Sequence, residues 1–412
     1  MNNITPSTQA VLLLTSSFSK HARNEEKPLS VSEWGLFAAW LHVHKMKPED
    51  LLEKDFEENL KDWSDETISL SRLKKLLNRG AALALAIEKW QRIGLWVITR
   101  SDKEYPQNIK RKLKHLSPPI LYGIGNKDLL NVPTIAVTGS RNADKTNLNY
   151  AYEIGSKIAK DGLALVSGGA KGVDEYAMQG TLDHGGNGIV ILAEDLLKYS
   201  LSSKYRNALL QNNLVLISPY YPESSFSVAN AMARNKYIYT LSIASVIVCS
   251  NSSGGTWTGA NEVLKKQWTP LWVKESSDSK SPNQILINAG ANILTQGVLK
   301  NHIQDLQFNT IVNKAPTLFD IDEDDTVEEL VKPLIEEMVA IEFNSELSLY
   351  DFFIYKLEHT FKHDDIFKPK EVEELFELKT AQINEWLIKS EIDNIVVKLD
   401  GRARRYKLKD PL

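Results

Sequence analysis

The sequence has little cysteine, no long apolar run and no excess of positive charge. Cys249 is the only cysteine in 412 residues, which excludes an internal disulfide framework and a zinc site built on cysteines. No stretch approaches the roughly 20 apolar residues that a membrane helix requires. The apolar run AVLLL near the amino terminus lacks a preceding basic segment, so no signal peptide is predicted. We therefore expect a cytoplasmic protein without a membrane contact.

The charge balance limits what the whole surface can attract. The chain carries 49 Lys and Arg against 53 Asp and Glu, which gives a formal net charge of −4. Such a protein has no global field that draws in nucleic acid, so a nucleic-acid site would have to be a local basic patch. The composition, 42% hydrophobic and 25% charged, is typical of globular domains. The length predicts two to four of them.

Helical patterns dominate residues 1–92. Ser30 and Glu33 have the spacing of a capping box before an apolar run. The segment SRLKKLLNRGAALALAIEKW reads as two helices interrupted at Asn78–Gly80, where glycine permits a left-handed turn. A packing or dimerisation domain fits this region, and so does a small DNA-binding module of the SAM or helix-hairpin-helix kind.

Short apolar strands separated by helix-length segments begin near residue 93. They are LWVIT, PILYGIG, TIAVTGS, LALVSGG, GIVILAE, LVLISPY, SVIVCS and PLWVK. Nearly continuous apolar strands of this kind predict a parallel sheet buried on both faces. Right-handed crossovers then give an α/β fold, an extended Rossmann-like doubly wound sheet over residues 93–312.

The last hundred residues predict a linker and a small domain. Residues 313–344 contain the acidic run DIDEDDTVEEL, which is typical of a solvated linker. Residues 345–412 show three helical patterns and then two strands around Asp400–Gly401, a strong hairpin signal. This order predicts a winged helix. Its wing carries or adjoins the basic residues Arg402, Arg404, Arg405 and Lys407.

Glycine- or serine-rich segments, two of them with basic residues, are expected at one edge of the sheet. Ligands of an open parallel sheet bind at the carboxyl ends of the strands, so these segments are candidate anion sites. The candidate residues are Gly139, Ser140 and Arg141; Ser167, Gly168, Gly169, Lys171, Gly172 and Asp174; Arg234, Asn235 and Lys236; and Ser253, Gly254, Gly255 and Thr256.

The residue types in these turns suit a phosphate. Glycines allow close backbone approach, free N–H groups at helix starts attract anions, and Arg141 and Lys171 add positive charge. Asp174 is expected in the first turn of the following helix, where it would cap that helix or orient Lys171 or Arg141. The turns match neither the dinucleotide fingerprint G-x-G-x-x-G nor the Walker A motif, so no cofactor and no metal is predicted.

Six motifs follow one another between about residues 93 and 295. They are YPQNIKRKLKHLSPPILYGIGN, VTGSR, VSGGAKGVDEYA, ARNKYIYTLS, SSGGTWTGANEV and NQILINAGA. As an ordered set they resemble the DNA-processing protein A family, also called DprA or Smf. The resemblance implies an extended Rossmann fold that binds single-stranded DNA, forms homodimers and has no catalytic turnover. It also implies protection of incoming strands and loading of a RecA-type recombinase during natural transformation.

The resemblance assigns roles residue by residue. It implies that Arg141 and Lys171 contact phosphates, while the small residues of the first two turns shape the pocket. The stretch Arg234–Lys236 corresponds to an Arg-Asn-Arg stretch of the family. Three departures are present: SVANAMARN lacks the family's Phe-Pro, SGGTWTGA replaces S-G-S-x-x-T-A, and LWVKE replaces A-V-P-G. These departures put the transformation role in doubt more than the DNA binding. Divergent members also occur in phage-defence loci, so DNA sensing beside a defence effector protein is a second hypothesis.

Two functions of other classes stay open. GGTWTGANE is similar to the G-G-x-G-T-x-x-E motif of nucleotide phosphoribohydrolases, but Trp257 and Asn261 stand at the third glycine and the glutamate. Glu262 follows one residue late, and a one-residue shift turns a helical side chain by about 100°, away from a substrate. The other alternative is a scaffold whose winged helix binds a protein partner; DNA contact and protein contact fit the wing equally.

Overall fold

The computed structural model describes residues 4–18, 26–307 and, towards the carboxyl terminus, 354, 357, 361, 366–369, 372, 380–392, 395–399 and 405–408. The chain divides into two compact units, Met1–Val312 and Asn313–Leu412. Each unit is described by itself. Within the described residues, no helix combines the length and the apolar character needed to cross a membrane.

Within residues 4–18 and 26–95, five α-helices precede the sheet: α1 (Pro6–Thr15), α2 (Val31–Val43), α3 (Phe56–Asn59), α4 (Leu70–Leu77) and α5 (Gly80–Arg92). The capping box is confirmed, since the Ser30 hydroxyl accepts from the Glu33 N–H and the Glu33 carboxylate accepts from the Ser30 N–H. The predicted break between α4 and α5 is also present. The left-handed turn expected there is wrong: Asn78 and Arg79 have φ of −76° and −92°, and Gly80 already belongs to α5.

The nine strands of the first unit form one sheet in the order β1-β2-β6-β5-β4-β3-β7-β8-β9. The strands are β1 (Trp96–Thr99), β2 (Ile120–Gly125), β3 (Thr134–Thr138), β4 (Ala164–Ser167), β5 (Asn187–Ile191), β6 (Leu214–Ser218), β7 (Ala244–Ile247), β8 (Leu271–Lys274) and β9 (Asn292–Leu294). From β6 to β9 every neighbouring pair is parallel, which confirms the predicted α/β class.

Two strands correct the expectation of a fully parallel sheet. β2 pairs antiparallel with β6, and β1 pairs antiparallel with β2. An apolar run such as PILYGIG looks the same in either direction, because burial on both faces removes the polar–apolar alternation. The short strand β9 was not predicted.

Eight helices accompany the sheet: α6 (Gln107–Leu113), α7 (Lys145–Lys160), α8 (Val173–Asp183), α9 (Leu196–Ser200), α10 (Ser203–Leu210), α11 (Val228–Leu241), α12 (Gly255–Lys266) and α13 (Pro282–Asn288). Successive side chains of β3 belong to two different apolar clusters, with Ile135 and Val137 in one and Ala136 in the other. Both faces are therefore covered, as side chains with a period of two require.

The amino-terminal helices share the first of these clusters with the sheet. The ring of Trp90 on α5 meets Tyr122 of β2 edge-on at 5.2 Å, and the Tyr122 hydroxyl donates to Ser16 Oγ at 2.7 Å. A domain boundary near residue 92 stays a prediction.

The second unit contains β10 (Ile366–Phe367), α14 (Thr380–Ile392), β11 (Val396–Leu399) and β12 (Arg405–Leu408). Its sheet has the order β10-β12-β11 and contributes Phe367 and Tyr406 to a small apolar core. The hairpin is confirmed, since β11 and β12 pair antiparallel. Most of the other two helical patterns of the predicted winged helix, and the whole of the acidic linker, lie outside the described residues.

Candidate functional site

A groove of about 400 Å³ opens at the carboxyl ends of β3 and β7. The chain order of the strands reverses here, because β4 lies on one side of β3 and β7 on the other. A parallel sheet leaves a crevice where its strand order reverses, and ligands bind in it. The predicted residues that line the groove are Gly139, Ser140, Arg141, Asp174, Arg234, Asn235, Ser253, Gly254, Gly255 and Thr256.

Direct contacts hold the four predicted segments together. Gly172 has φ of +86°, and a Cβ there would lie 2.5 Å from the Ser140 carbonyl oxygen, so only glycine fits between the first two turns. The Thr256 hydroxyl donates to the Gly139 carbonyl at 3.0 Å. The Asn235 side-chain amide donates to the Gly255 carbonyl at 3.1 Å. The prediction that these segments meet at one edge of the sheet is confirmed.

Arg234 is the most buried cation of the groove. Only 5% of the residue is exposed, although its side chain lines the groove. A Cβ built on Gly168 would lie 1.8 Å from Arg234 Nη1, so the guanidinium occupies the space that this glycine leaves open. Its Nε and Nη1 have no hydrogen-bond partner among the described residues. Burial lowers the pKa of Arg234, and the charge of Asp174 opposes that shift.

Asp174 supplies the negative charge that faces this guanidinium. It lies in the first turn of α8, as predicted, and is 6% exposed. Its carboxylate accepts from the Gly168 N–H at 3.1 Å, so it fixes the turn before α8, and Gly172 is the cap residue of that helix. The expected helix-capping role is therefore wrong. Burial raises the pKa of Asp174, and Arg234, in place of the expected Lys171 or Arg141, is the cation that most opposes this rise.

An apolar lip beside Arg141 was not predicted. It consists of Phe226, Val228 and Met232, which are 47%, 64% and 41% exposed and all line the groove. The guanidinium carbon of Arg141 lies 5.6 Å from the centre of the Phe226 ring, within the range of a cation–π contact. Phe226 precedes α11 in a loop without periodicity, so its aromatic ring was the only signal in the sequence that could have identified it.

Comparison with known proteins places this fold and groove in a family. The model described as DNA recombination-mediator protein A matches residues 96–305, half of the chain. The chain belongs to this family.

The matched relatives are distant. DNA processing protein DprA of Streptococcus pneumoniae is 27% identical over 184 residues, which cover 44% of this chain and 65% of that protein. Protein Smf of Synechocystis is 27% identical over 169 residues, which cover 39% of this chain and 42% of that protein. The chain thus spans less than two thirds of the length of these relatives.

Two solved structures of DNA processing protein A are also similar. The one from Streptococcus pneumoniae has a TM-score of 0.49 at 20% identity and covers 66% of this chain and 96% of that one. The one from Helicobacter pylori has a TM-score of 0.43 at 23% identity and covers 50% and 94%.

Some of the predicted site residues lie off the groove surface. Ser167 is buried and donates to the Val137 carbonyl at 2.7 Å, and Gly168 and Gly169 are buried behind it. Lys171 is exposed and follows Ala170, a lining residue. Lys236 is half-buried, with its ammonium 5.1 Å from the Tyr237 ring centre. These positions shape the groove or border it.

The wing belongs to the second unit. Arg405 and Lys407 lie on β12, whereas Arg402 and Arg404 lie outside the described residues. In the part of the chain that the structure describes, no group of three or more His, Cys, Asp or Glu side chains is arranged to hold a metal ion.

Proposed function

We propose that the protein is a non-catalytic mediator of DNA processing or recombination that binds single-stranded DNA in the groove at β3 and β7. The DNA backbone phosphates are the proposed ligands of Arg234, Arg141 and the glycine turns. Family membership supports the process, and the chemistry of the groove supports the ligand.

The observation that carries this proposal is the state of Arg234. A buried guanidinium with two unpaired nitrogens destabilises a folded protein unless an acceptor reaches it. Asp174 contributes long-range attraction, but its carboxylate is already engaged by the Gly168 N–H. A phosphate in the groove would supply both the missing acceptors and a negative charge.

The surroundings of Arg234 favour a single strand over a free anion. The helices α8 and α12 begin beside the groove, and their free N–H groups attract phosphate oxygens. The apolar lip of Phe226, Val228 and Met232 suits unpaired bases, since bases of any sequence stack on aromatic and apolar side chains. Sequence preference is expected to be weak, because phosphates carry no base identity. The Helicobacter pylori relative is itself described by its single-stranded DNA binding mode.

Alanine substitutions at the two outer cations test this proposal. Arg141→Ala and Lys171→Ala are each expected to weaken binding of single-stranded DNA and to flatten the dependence of log affinity on log salt by about 0.7. Fluorescence anisotropy at several salt concentrations, with single- and double-stranded DNA, measures both quantities. Lys280→Ala is the control, since Lys280 is exposed and does not line the groove. Unchanged affinity in the Arg141→Ala/Lys171→Ala double variant contradicts the proposal.

The rival nucleotide glycosidase has little support in the groove. Among the described lining residues, Asp174 is the only carboxylate, and it is buried and hydrogen-bonded. Glu262 does not line the groove and faces Lys236, while the Asn261 side chain donates to the Trp257 carbonyl of its own helix. A glycosidase needs a carboxylate at the reacting sugar, so we favour binding without turnover.

The wider roles are further proposals. A homodimer that loads a RecA-type recombinase onto single strands fits the family. DNA sensing in a phage-defence locus, with a defence effector protein as partner, fits the departures in the motifs. For the wing, DNA contact and protein contact both stand as proposals. Recombinase filament formation on protein-coated strands separates the first role from the second.

A further inference from the structure

A second cluster of cations lies on α6, away from the groove. Four of the five residues 110–114, in the run KRKLK, are Lys or Arg, and the chain carries no acidic residue between Glu104 and Asp128. In a protein with a net charge of −4, this is a strong local excess of positive charge.

Two inward side chains of α6 fix which cations face the solvent. Lys112 donates to the Ser242 carbonyl at 2.7 Å, and Asn108 donates to the Leu241 carbonyl at 3.0 Å. These bonds attach α6 to the carboxyl end of α11. Arg111 and Lys114 are left exposed and Lys110 half-buried on the outer side. We call these three residues, Lys110, Arg111 and Lys114, the α6 cations.

The positive charge of this helix is not neutralised within the described residues. No Asp or Glu of that part of the chain forms an ion pair with the α6 cations or with Lys112. Burial, together with the neighbouring charge of Arg111, lowers the pKa of Lys112 to about 8. Packing therefore holds α6 in place although its cations repel one another.

Helix α11 connects this surface to the groove. It has 14 residues, and Arg234 lies in the groove while Leu241 and Ser242 bind α6. At 1.5 Å per residue, the rise from Arg234 to Leu241 is about 10 Å. The turn of α11 at Met232 and Ala233 is exposed beside the groove, whereas residues 237–241 are buried. A DNA strand that leaves the groove across this exposed turn would need to extend by only a few nucleotides to reach α6.

We propose that the α6 cations are a second contact for the phosphate backbone of the same single strand, outside the groove. This inference rests on the proposed function. Exposed cations that lack acidic partners bind phosphates by releasing counterions, without reading sequence. An acidic protein surface is the competing ligand, and it would leave DNA binding independent of these residues.

The test compares two oligonucleotides with one variant and one control. An oligonucleotide of about 6 nucleotides fills the groove alone, whereas one of about 25 extends beyond a single binding site. The variant is Lys110→Gln/Arg111→Gln/Lys114→Gln, which retains Lys112 and its bond to Ser242. The control is Lys160→Gln/Lys280→Gln/Lys300→Gln, which removes the same charge from exposed positions on other elements. Thermal unfolding verifies that both proteins are folded, and Arg111→Gln alone is the reserve if the triple variant is not.

The expected result is a loss confined to the longer strand. The α6 variant should bind it at least tenfold more weakly at low salt, with a log–log salt slope smaller by about 2, which corresponds to three lost contacts at about 0.7 each. Binding of the short strand, and of both strands by the control, should not change.

Two other results overturn the inference in distinguishable ways. If the α6 variant binds the longer strand with wild-type affinity and salt slope, the α6 cations do not contact DNA, and the groove proposal stands. If wild-type protein binds neither strand, the proposed function itself fails and this inference fails with it.

Discussion

Two arginines of the first unit, one half-buried and one buried, differ in how the fold satisfies the guanidinium. Arg72 on α4 donates to the carbonyls of Lys27, Pro28 and Thr67 and to both carboxylate oxygens of Glu33, at 2.6–3.3 Å. Arg234 on α11 is more buried, yet two of its nitrogens have no partner among the described residues.

The difference separates a structural arginine from the one that we propose as a ligand contact. The bonds of Arg72 join α4 to the start of α2 and to the segment before it, so its desolvation is offset within the fold. The fold positions Arg234 without providing hydrogen-bond acceptors for its Nε and Nη1. Gly168 leaves space for the guanidinium, and Asp174 supplies a negative charge. Buried polar groups in native proteins are nearly always hydrogen-bonded, so an exception such as Arg234 calls for an explanation, and a ligand is one.

The largest expected effect is a loss of stability when Arg72 is replaced. Arg72→Met removes hydrogen bonds to a carboxylate and three carbonyls and leaves Glu33 without its cation. We expect the free energy of unfolding to fall by about 3 kcal/mol in urea denaturation, with DNA binding unchanged in the folded protein. The control is Arg92→Met, whose exposed ion pair with Glu88 should contribute less than about 0.5 kcal/mol. Similar losses in the two variants would contradict the structural role.

The second effect has the opposite profile, loss of binding with a smaller loss of stability. Arg234→Met fills a similar space without a charge, and Asp174 keeps its bond from the Gly168 N–H. Because burial already raises the pKa of Asp174, its carboxyl can take up a proton once Arg234 is gone. We expect single-stranded DNA affinity to fall about 10- to 100-fold, whereas the free energy of unfolding should fall by less than the roughly 3 kcal/mol expected for Arg72→Met, because protonation of Asp174 limits the cost of the lost cation. A stability loss as large as that of Arg72→Met would make Arg234 a structural residue.

The sequence predicted these two sites unequally. The capping box of α2 and the break between α4 and α5 are local signals, so they could be read directly from Ser30, Glu33 and Gly80. The partnership of Arg72 with Glu33 joins residues 39 positions apart and depends on how α2 and α4 pack, which no local pattern encodes.

For the groove, the strand topology was the main basis of the prediction. Parallel strands end at one edge, so the turns after β3, β4 and β7 had to lie near one another. The burial of Arg234 depends on the missing Cβ of Gly168 in another turn, and the apolar lip depends on where the loop before α11 folds. The direction of β2 was missed for a related reason, since a strand buried on both faces carries no mark of its direction.

The smallest expected effect tests the structural role of Arg72 through its partner, Glu33. The pKa of the Glu33 carboxyl is lowered from 4.5 to about 2, and the hydrogen bond from Arg72 is the largest cause; hydrogen bonds with Ser30 and the charge of Arg72 act in the same direction, and burial opposes them. A carboxyl with a lower pKa in the folded state stabilises the fold above its unfolded pKa, and this stabilisation is lost as pH falls through the folded value. Glu33→Gln should therefore lower the free energy of unfolding by about 1 kcal/mol at pH 7, and the difference from wild type should shrink between pH 4.5 and about 2. Urea denaturation across this range measures it. In the Arg72→Met background the pH-dependent effect of the same substitution should be clearly smaller, because the cation that favours the ionised carboxylate is gone and only the bonds from Ser30 still lower the pKa of Glu33. An undiminished dependence would assign the shift to the helix cap of Ser30 instead.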